Sequence, residues 1–347
     1  MNVLMENEMH EEKYKLITEN LEEILGEEDL KKIISERNLR IYWGTAPTGK
    51  PHIGYLNPLV NISRFLRANC EVTILIADLH AELDALKSNK DLIKLRTEYY
   101  ELLIKKTMEC IGVNTEKLKF VRGSSFQLSE NYTRDVYRMM TLVSLREAQK
   151  AGTDVVKQNK NPLLSGIVYP LLQCLDEEYL QVDCQFGGTD QRKIFALARE
   201  YLPLLEYPKR IHLMNHMIPS LSGKDKMSSS DINSKINLTD SDLLIYSKLK
   251  KAFCQEGNSS SPIFDFLKYV IFPLLALNNL SFTIIRSSEH GACLSFASFD
   301  DLKNSFEQLN FHPSDLKTSL ASFLVDLLSP IRLSQELITL ESLAYPI

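Results

Sequence analysis

The sequence predicts an α/β layered domain built on a parallel sheet, followed by a mostly helical C-terminal part. Three observations carry that reading. A β-favouring run, Leu39-Arg40-Ile41-Tyr42-Trp43, enters a turn broken by glycine and proline, and an apolar-periodic helix follows over about residues 53–66. Residues 71–77, EVTILIA, form an almost continuous β-branched run of the kind buried on both faces of a parallel sheet. Strand and helix patterns then alternate as far as residue 214. Over residues 223–242 the composition turns polar and rich in Ser and Asp, which sets the expected boundary between domains at 1–235 and 236–347.

Taken in order, the first eight or so residues read as disordered. Residues 11–37 read as one packing helix, because Leu16, Ile17, Leu21, Ile24, Leu25, Leu30, Ile33 and Ile34 recur at threes and fours. After the run at 71–77 come a helix over 90–110 and a short strand at 118–121. Helical patterns fill 129–150, polar turn residues 152–161, and another helix 162–180. A strand at 181–186, a helix over 189–201 and a strand at 210–214 complete the first domain. The remainder is helical except for a β-like patch at 282–285 and a turn at Phe311-His312-Pro313-Ser314.

A chain of 347 residues is long for one domain and can bury a substantial core. Its net charge of −5 leaves no global footprint for nucleic acid, although a local basic strip such as Lys248, Lys250 and Lys251 is compatible with one. The six cysteines lie far apart, with no zinc-like spacing, and read as buried reduced thiols. The acidic start, MNVLMENEMHEEKYK, resembles neither a secretory signal nor a transit peptide, and no apolar run is long enough to span a bilayer. A cytoplasmic protein without a membrane partner is expected.

Three stretches carry chemistry. In GTAPTGKPHIGY, residues 44–55, a lysine and a histidine sit among small residues where a strand gives way to a helix. Backbone amides and polar side chains can converge there on a polyphosphate. In GKDKMSSS, residues 223–230, two lysines among glycine and serines make a cationic loop suited to closing over a leaving phosphate. In the helix over 162–180, Tyr169, Gln173 and Asp176 stand at i, i+4 and i+7, which puts a phenol, an amide and a carboxylate on one face. Such a row is costly inside a protein unless something hydrogen-bonds it.

PHIGY and KMSSS resemble the HIGH and KMSKS signatures of class I aminoacyl-tRNA synthetases. YPLLQCLDEEYLQVDCQFGGTDQRKIF and ADLHAELD are similar to the eukaryotic and archaeal cytosolic form of the tyrosyl-tRNA synthetases. The resemblance implies a Rossmann-like catalytic domain with a helical anticodon-binding domain, and ligation of L-tyrosine to tRNA(Tyr) through tyrosyl-AMP. It implies ATP as a substrate with Mg2+, no zinc or organic cofactor, and a homodimer formed through about residues 129–162. On it, Tyr42 and Asp176 would hold the phenol, and Tyr169, Gln173 and Gln191 the α-ammonium, with Phe126 and Gln127 lining the pocket. Gly44, His52, Gly54, Lys224, Lys226, Met227, Ser228, Ser229 and Ser230 would serve ATP, with His52, Lys224 and Lys226 catalytic. His312 and Asp315 would read the anticodon. Two positions depart from the signatures, Tyr55 in place of histidine and Ser229 in place of lysine, and Lys50, Lys224 or Mg2+ are the candidates to replace the missing cations. The related tryptophan enzyme and a non-catalytic paralogue that only binds are the alternatives.

Overall fold

The computed structural model describes residues 2–84, 89–156, 161–221, 223, 235–287, 289 and 291–346. The first part runs α1 (Asn2–Thr18), β1 (Leu21–Leu25), α2 (Glu27–Glu36), β2 (Arg40–Thr45), α3 (Leu56–Arg67), β3 (Glu71–Ile76), α4 (Asp78–Leu83), α5 (Ile93–Cys110) and β4 (Leu118–Arg122). It continues through α6 (Ser124–Gln127), α7 (Glu130–Leu142), α8 (Leu145–Gly152), α9 (Leu164–Tyr179), β5 (Cys184–Gly188), α10 (Arg192–Tyr201) and β6 (Ile211–Asn215). These strands form one sheet in the order β1-β6-β5-β2-β3-β4, parallel except for β1 at the edge. From β2 the chain builds outward through β3 and β4, then returns to build β5 and β6 on its other side. The order therefore reverses between β2 and β5, and their carboxyl ends open the crevice in which open α/β sheets bind ligands.

The second part comprises α11 (Asp242–Lys251) and α12 (Pro262–Phe266), which runs through a π-helical turn (Leu267–Ile271) into α13 (Phe272–Leu277). A small hairpin of β7 (Phe282–Ile284) and β8 (Leu294–Phe296) follows, then α14 (Phe299–Glu307), α15 (Pro313–Arg332) and α16 (Gln335–Ala344). Helices α15 and α16 pack on α5, so the apolar core is continuous from Ile17 and Ile74 through Leu103 to Leu324 and Ala344.

The structure corrects the expected helix over 11–37. Gly26 adopts a left-handed φ of 91° and separates α2 from β1, whose Ile24 and Leu25 pair with Leu213 and His212 of β6. A five-residue edge strand is too short for its period to compete with the helical spacing around it, and Gly26 was the breaker to read. The cysteines are all unpaired, but only Cys70, Cys174 and Cys184 are buried, and Cys293 is exposed. Among the described residues no helix is long and apolar enough to cross a membrane.

Helix α9 is locked in rotation by the residues that follow its polar face. Glu177 Oε1 lies 2.7 Å from His212 Nε2 of β6, both fully buried, and Glu178 pairs with Arg210 at 2.5 Å. Capped neighbours steady the helices around it. Ser129 accepts from the Tyr132 amide at the start of α7, and Ser144 with Glu147 forms a capping box on α8.

Candidate active site

At the carboxyl ends of β2 and β5 lie two adjoining cavities, of about 190 and 230 Å³, which share Gly44, Thr45, Tyr55 and Gln191 in their walls. The smaller lies against α9. Tyr42 and Gln185 face each other across the β2–β5 ladder and reach it from the sheet, and Tyr169, Gln173 and Asp176 reach it from the helix. The seven-residue spacing on α9 thus does put the three polar groups on one wall. Asp84 and His80, from α4 and the residue after it, complete the lining.

Asp176 is 1% exposed. Its Oδ1 lies 2.7 Å from the Gln127 amide nitrogen, which donates to it, and 2.8 Å from the Tyr132 hydroxyl. Among the described residues its Oδ2 has no hydrogen-bond partner, and His80 Nε2 stands 3.9 Å away. Burial pushes the carboxyl up to about 8, partly offset by the two donors. The Tyr42 hydroxyl, also buried, makes a long 3.4 Å bond to the Gln173 carbonyl, and burial beside Asp176 raises it well above the ordinary phenol range. Gln127 Nε2 also lies 3.3 Å from His80 Nδ1. An amide can only donate there, so the His80 proton sits on Nε2, and burial lowers that imidazole to about 4 and keeps it neutral. The wall therefore presents an acceptor and hydroxyl and imidazole donors, suited to a ligand that carries a phenol. Gln173 Nε2 donates to Gln191 Oε1 at 2.6 Å, which brings two more of the expected residues together at the junction of the cavities.

The larger cavity contains His52, Gly54, Asn57, Gly188, Asp190 and His216. His52 Nδ1 accepts from the Gly54 amide at 3.2 Å, which leaves the proton on Nε2. Burial, helped by Lys235, lowers His52 to about 3, so it is a neutral donor at any working pH. Residues 236–238 pair with 51–53: Ile53 donates to the Ile236 carbonyl at 2.8 Å and Leu238 to the Pro51 carbonyl at 3.1 Å. The carboxyl-terminal root of the second signature is thereby held beside the first. Lys224, Lys226, Met227, Ser228, Ser229 and Ser230 themselves lie outside the described residues.

Tyr55 fills its signature position with a partly buried ring, edge-on to Trp43, His52 and Tyr100, and its hydroxyl meets Thr45 Oγ1 at 3.0 Å. It supplies packing, not charge. Lys50, one candidate for the missing cation, is instead paired with Glu341 of α16 at 2.6 Å. The neighbouring Gly49 carbonyl accepts from the hydroxyls of Tyr100 and Tyr345, the latter at 3.1 Å. Phe126 is not in the pocket wall; it packs on the ring of Tyr132, 5.7 Å between centroids, and Gln127 acts behind Asp176.

In the helical part, His312 and Asp315 form a reciprocal cap on α15. His312 Nδ1 accepts from the Ser314 amide and Asp315 Oδ2 from the His312 amide. His312 also lines a separate groove with Tyr246, Lys250 and Lys317, and Asp315 does not. Lys248 is withdrawn from the basic strip by Asp240, at 2.5 Å.

Tyr132 and His80 were not foreseen. No spacing links Tyr132 to Asp176, 44 residues away. His80 lies in ADLHAELD, a stretch that showed a resemblance without a role.

Residues 34–329 match the model of the class I tRNA synthetases for tryptophan and tyrosine. The cytoplasmic tyrosine–tRNA ligase of Gallus gallus is 53% identical over 340 residues, 97% of this chain and 64% of that protein. That of Saccharomyces cerevisiae is 48% identical over 328 residues, 92% of this chain and 83% of that protein. The chain spans less than two thirds of the length of the vertebrate relatives it matches. The crystal structure of tyrosyl-tRNA synthetase complexed with L-tyrosine from Archaeoglobus fulgidus superposes with a TM-score of 0.85 at 35% identity, covering 93% of this chain and 98% of that one. On the α/β fold, the split site at the β2–β5 crevice and these relatives, the chain belongs to the class I tRNA synthetases for tryptophan and tyrosine, on the tyrosyl-tRNA synthetase branch.

Proposed function

We propose that the chain is a cytoplasmic tyrosine–tRNA ligase, which activates L-tyrosine with ATP to tyrosyl-AMP and pyrophosphate and then transfers tyrosine to the 3′ end of tRNA(Tyr). The observation that carries it is buried Asp176, whose Oδ2 has no partner among the described residues, in the wall of a cavity that Tyr42 also lines. A phenol satisfies both groups, whereas an indole has no oxygen to offer and a phenyl ring leaves both unpaired. Tyr169, Gln173 and Gln191 take the α-ammonium. Gly44, His52 and Gly54 take the ATP phosphates and ribose in the adjoining cavity, and Lys224, Lys226, Met227 and Ser228 to Ser230 cover the pyrophosphate. Mg2+ enters as part of that substrate, on the ATP phosphates.

The tyrosine carboxylate is ionised at neutral pH and needs no general base to attack the α-phosphate. The protein's share is to align the two substrates across the Gly44–Gln191 junction and to set donors, His52 Nε2–H first among them, on the developing phosphoryl charge. Residues 1–235 form the catalytic domain and residues 236–347 the anticodon-binding domain, with His312 available to stack on a splayed base and Asp315 to accept from its edge. Charging of tRNA(Tyr) transcripts with altered anticodons tests those two residues. A homodimer through residues 129–162 agrees with the exposed Tyr137, Met140, Leu142 and Leu145 on α7 and α8, and light scattering reads it directly.

The expected result is tyrosine-dependent exchange of pyrophosphate into ATP. Exchange with tryptophan instead would overturn the specificity, and none with any amino acid would leave a binding module. A second expectation concerns protons. At pH 7 the free protein keeps Asp176 largely protonated, with its pKa at about 8. Donation from the substrate phenol to Oδ2 favours the charged form and lowers that pKa. Tyrosine binding at pH 7 should therefore release up to about one proton, seen by calorimetry as an enthalpy that changes with the ionisation enthalpy of the buffer. Asp176→Asn should abolish that dependence, and a wild-type enthalpy indifferent to buffer would count against it.

A further inference from the structure

Helix α3 begins the chain's return from the first signature and is buried along nearly its whole length. Among its apolar residues are two buried asparagines, Asn57 at 1% and Asn61 at 0% exposure. A third, Asn20, lies between α1 and β1 and is 7% exposed. Their amides form a directed ladder. Asn57 Nδ2 donates to the His216 carbonyl at 2.7 Å, which obliges its Oδ1 to accept. Asn61 Nδ2 lies 3.3 Å from that Oδ1 and 3.2 Å from the Asn57 carbonyl. Asn61 Oδ1 in turn accepts from Asn20 Nδ2 at 3.2 Å, and Asn20 Nδ2 also reaches the Tyr269 carbonyl at 3.0 Å. The circuit closes through rings, because the His216 imidazole stacks on Tyr269 with centroids 3.8 Å apart and planes at 20°.

The two ends of this ladder have different surroundings. Asn57 and His216 are in the wall of the cavity that contains His52. Tyr269 lies in the π-helical turn between α12 and α13, in the second part of the chain. π turns inside helices recur at functional sites. Each amide nitrogen of the ladder has an acceptor, so its geometry is coupled to that of its neighbours.

We infer that Asn57, Asn61 and Asn20 are positioning residues for the nucleotide. They fix the width of the ATP-side cavity between the first signature and residues 216–218, and they tie that width to Tyr269 in the helical part. The inference rests on the ligase reading for its substrate, ATP, and goes beyond it in naming residues that touch neither phosphate nor tyrosine through Asn61, Asn20 and Tyr269. A ladder that only filled the core would lose thermal stability when Asn61 is replaced, because its partners are left unpaired, and would leave the KM for ATP unchanged.

The test uses Asn61→Leu, Tyr269→Ala and Tyr269→Phe in the full chain. The first two are expected to raise the KM for ATP in pyrophosphate exchange by about 3- to 30-fold, the range of coupling through contiguous packed networks. The KM for tyrosine should stay within about two-fold, and Tyr269→Phe, which keeps the stack, should retain wild-type values. Thermal unfolding is read alongside, and calorimetric titration with ATP alone answers for the ladder without reference to the amino acid. Absence of tyrosine-dependent exchange in the wild type overturns the ligase reading and leaves the ATP titration to judge the ladder. Folded Asn61→Leu and Tyr269→Ala proteins with unchanged ATP affinity, or with ATP and tyrosine affinities weakened alike, overturn the inference.

Discussion

Replacing Asp176 by asparagine is expected to lower kcat/KM for tyrosine in pyrophosphate exchange by roughly 10²-fold, with the KM for ATP within about two-fold of wild type. The carboxylate has two jobs. Oδ1 accepts from Gln127 and Tyr132, and Oδ2, without a partner among the described residues, is left for the ligand. An asparagine must keep its oxygen toward those two donors, because turning its NH2 group toward them would set donor against donor in a buried site. The NH2 group is then what faces the cavity, and the one acceptor for the substrate hydroxyl becomes a donor. A charge-assisted hydrogen bond contributes about 1.5–3 kcal/mol, and each 1.4 kcal/mol is tenfold, so a loss near 10² follows. Asp176→Ala should lose at least as much, since it also strands Gln127 and Tyr132. Steady-state exchange at saturating ATP measures it, and an equal rise in the KM for ATP in a folded variant would remove Asp176 from the phenol.

His52→Ala is expected to reduce kcat by about 10²- to 10³-fold, the usual cost of deleting one preorganised donor to a developing anion, and to leave the KM for tyrosine nearly untouched. The proton is on Nε2 because Nδ1 is held by the Gly54 amide. Burial keeps the ring neutral down to about pH 3, so its donor is present across the whole working range. The sign follows directly. A histidine whose pKa is lowered to about 3 gains no charge between pH 5 and 8, and the wild-type pH–rate profile should show no limb near 6.5 that His52→Ala removes. Such a limb would mean that the imidazolium is the working form.

What could be read in advance depended on whether the information was local. Tyr169, Gln173 and Asp176 share a helix, and the helical period alone puts them on one wall. Tyr42 could be placed at the strand end beside the first signature, but its neighbour Gln185 comes from β5 through a ladder that the sequence does not declare. Tyr132 and Gln127, which hold Asp176 from behind, belong to α7 and α6, and no repeat connects them to α9. The edge strand β1 was lost inside a helical pattern because Leu21, Ile24 and Leu25 stand at i, i+3 and i+4 and do not alternate as a strand would. Lys50 looked like a spare cation until the fold brought Glu341 to it across 291 residues of chain.

The bond between Tyr345 and the Gly49 carbonyl joins residues 296 apart in sequence, and Tyr100 reaches the same carbonyl from 51 residues away. The turn beside the substrate cavities is thus closed by one nearby phenol and one very distant one. Closing a loop of that length costs chain entropy before any contact repays it, so contacts of this kind form late. The parallel sheet and α9 can acquire native order while the Gly49 turn still exchanges its amides with solvent. Folding competence and catalytic competence should then be separate events in time, with the second waiting on the arrival of α16.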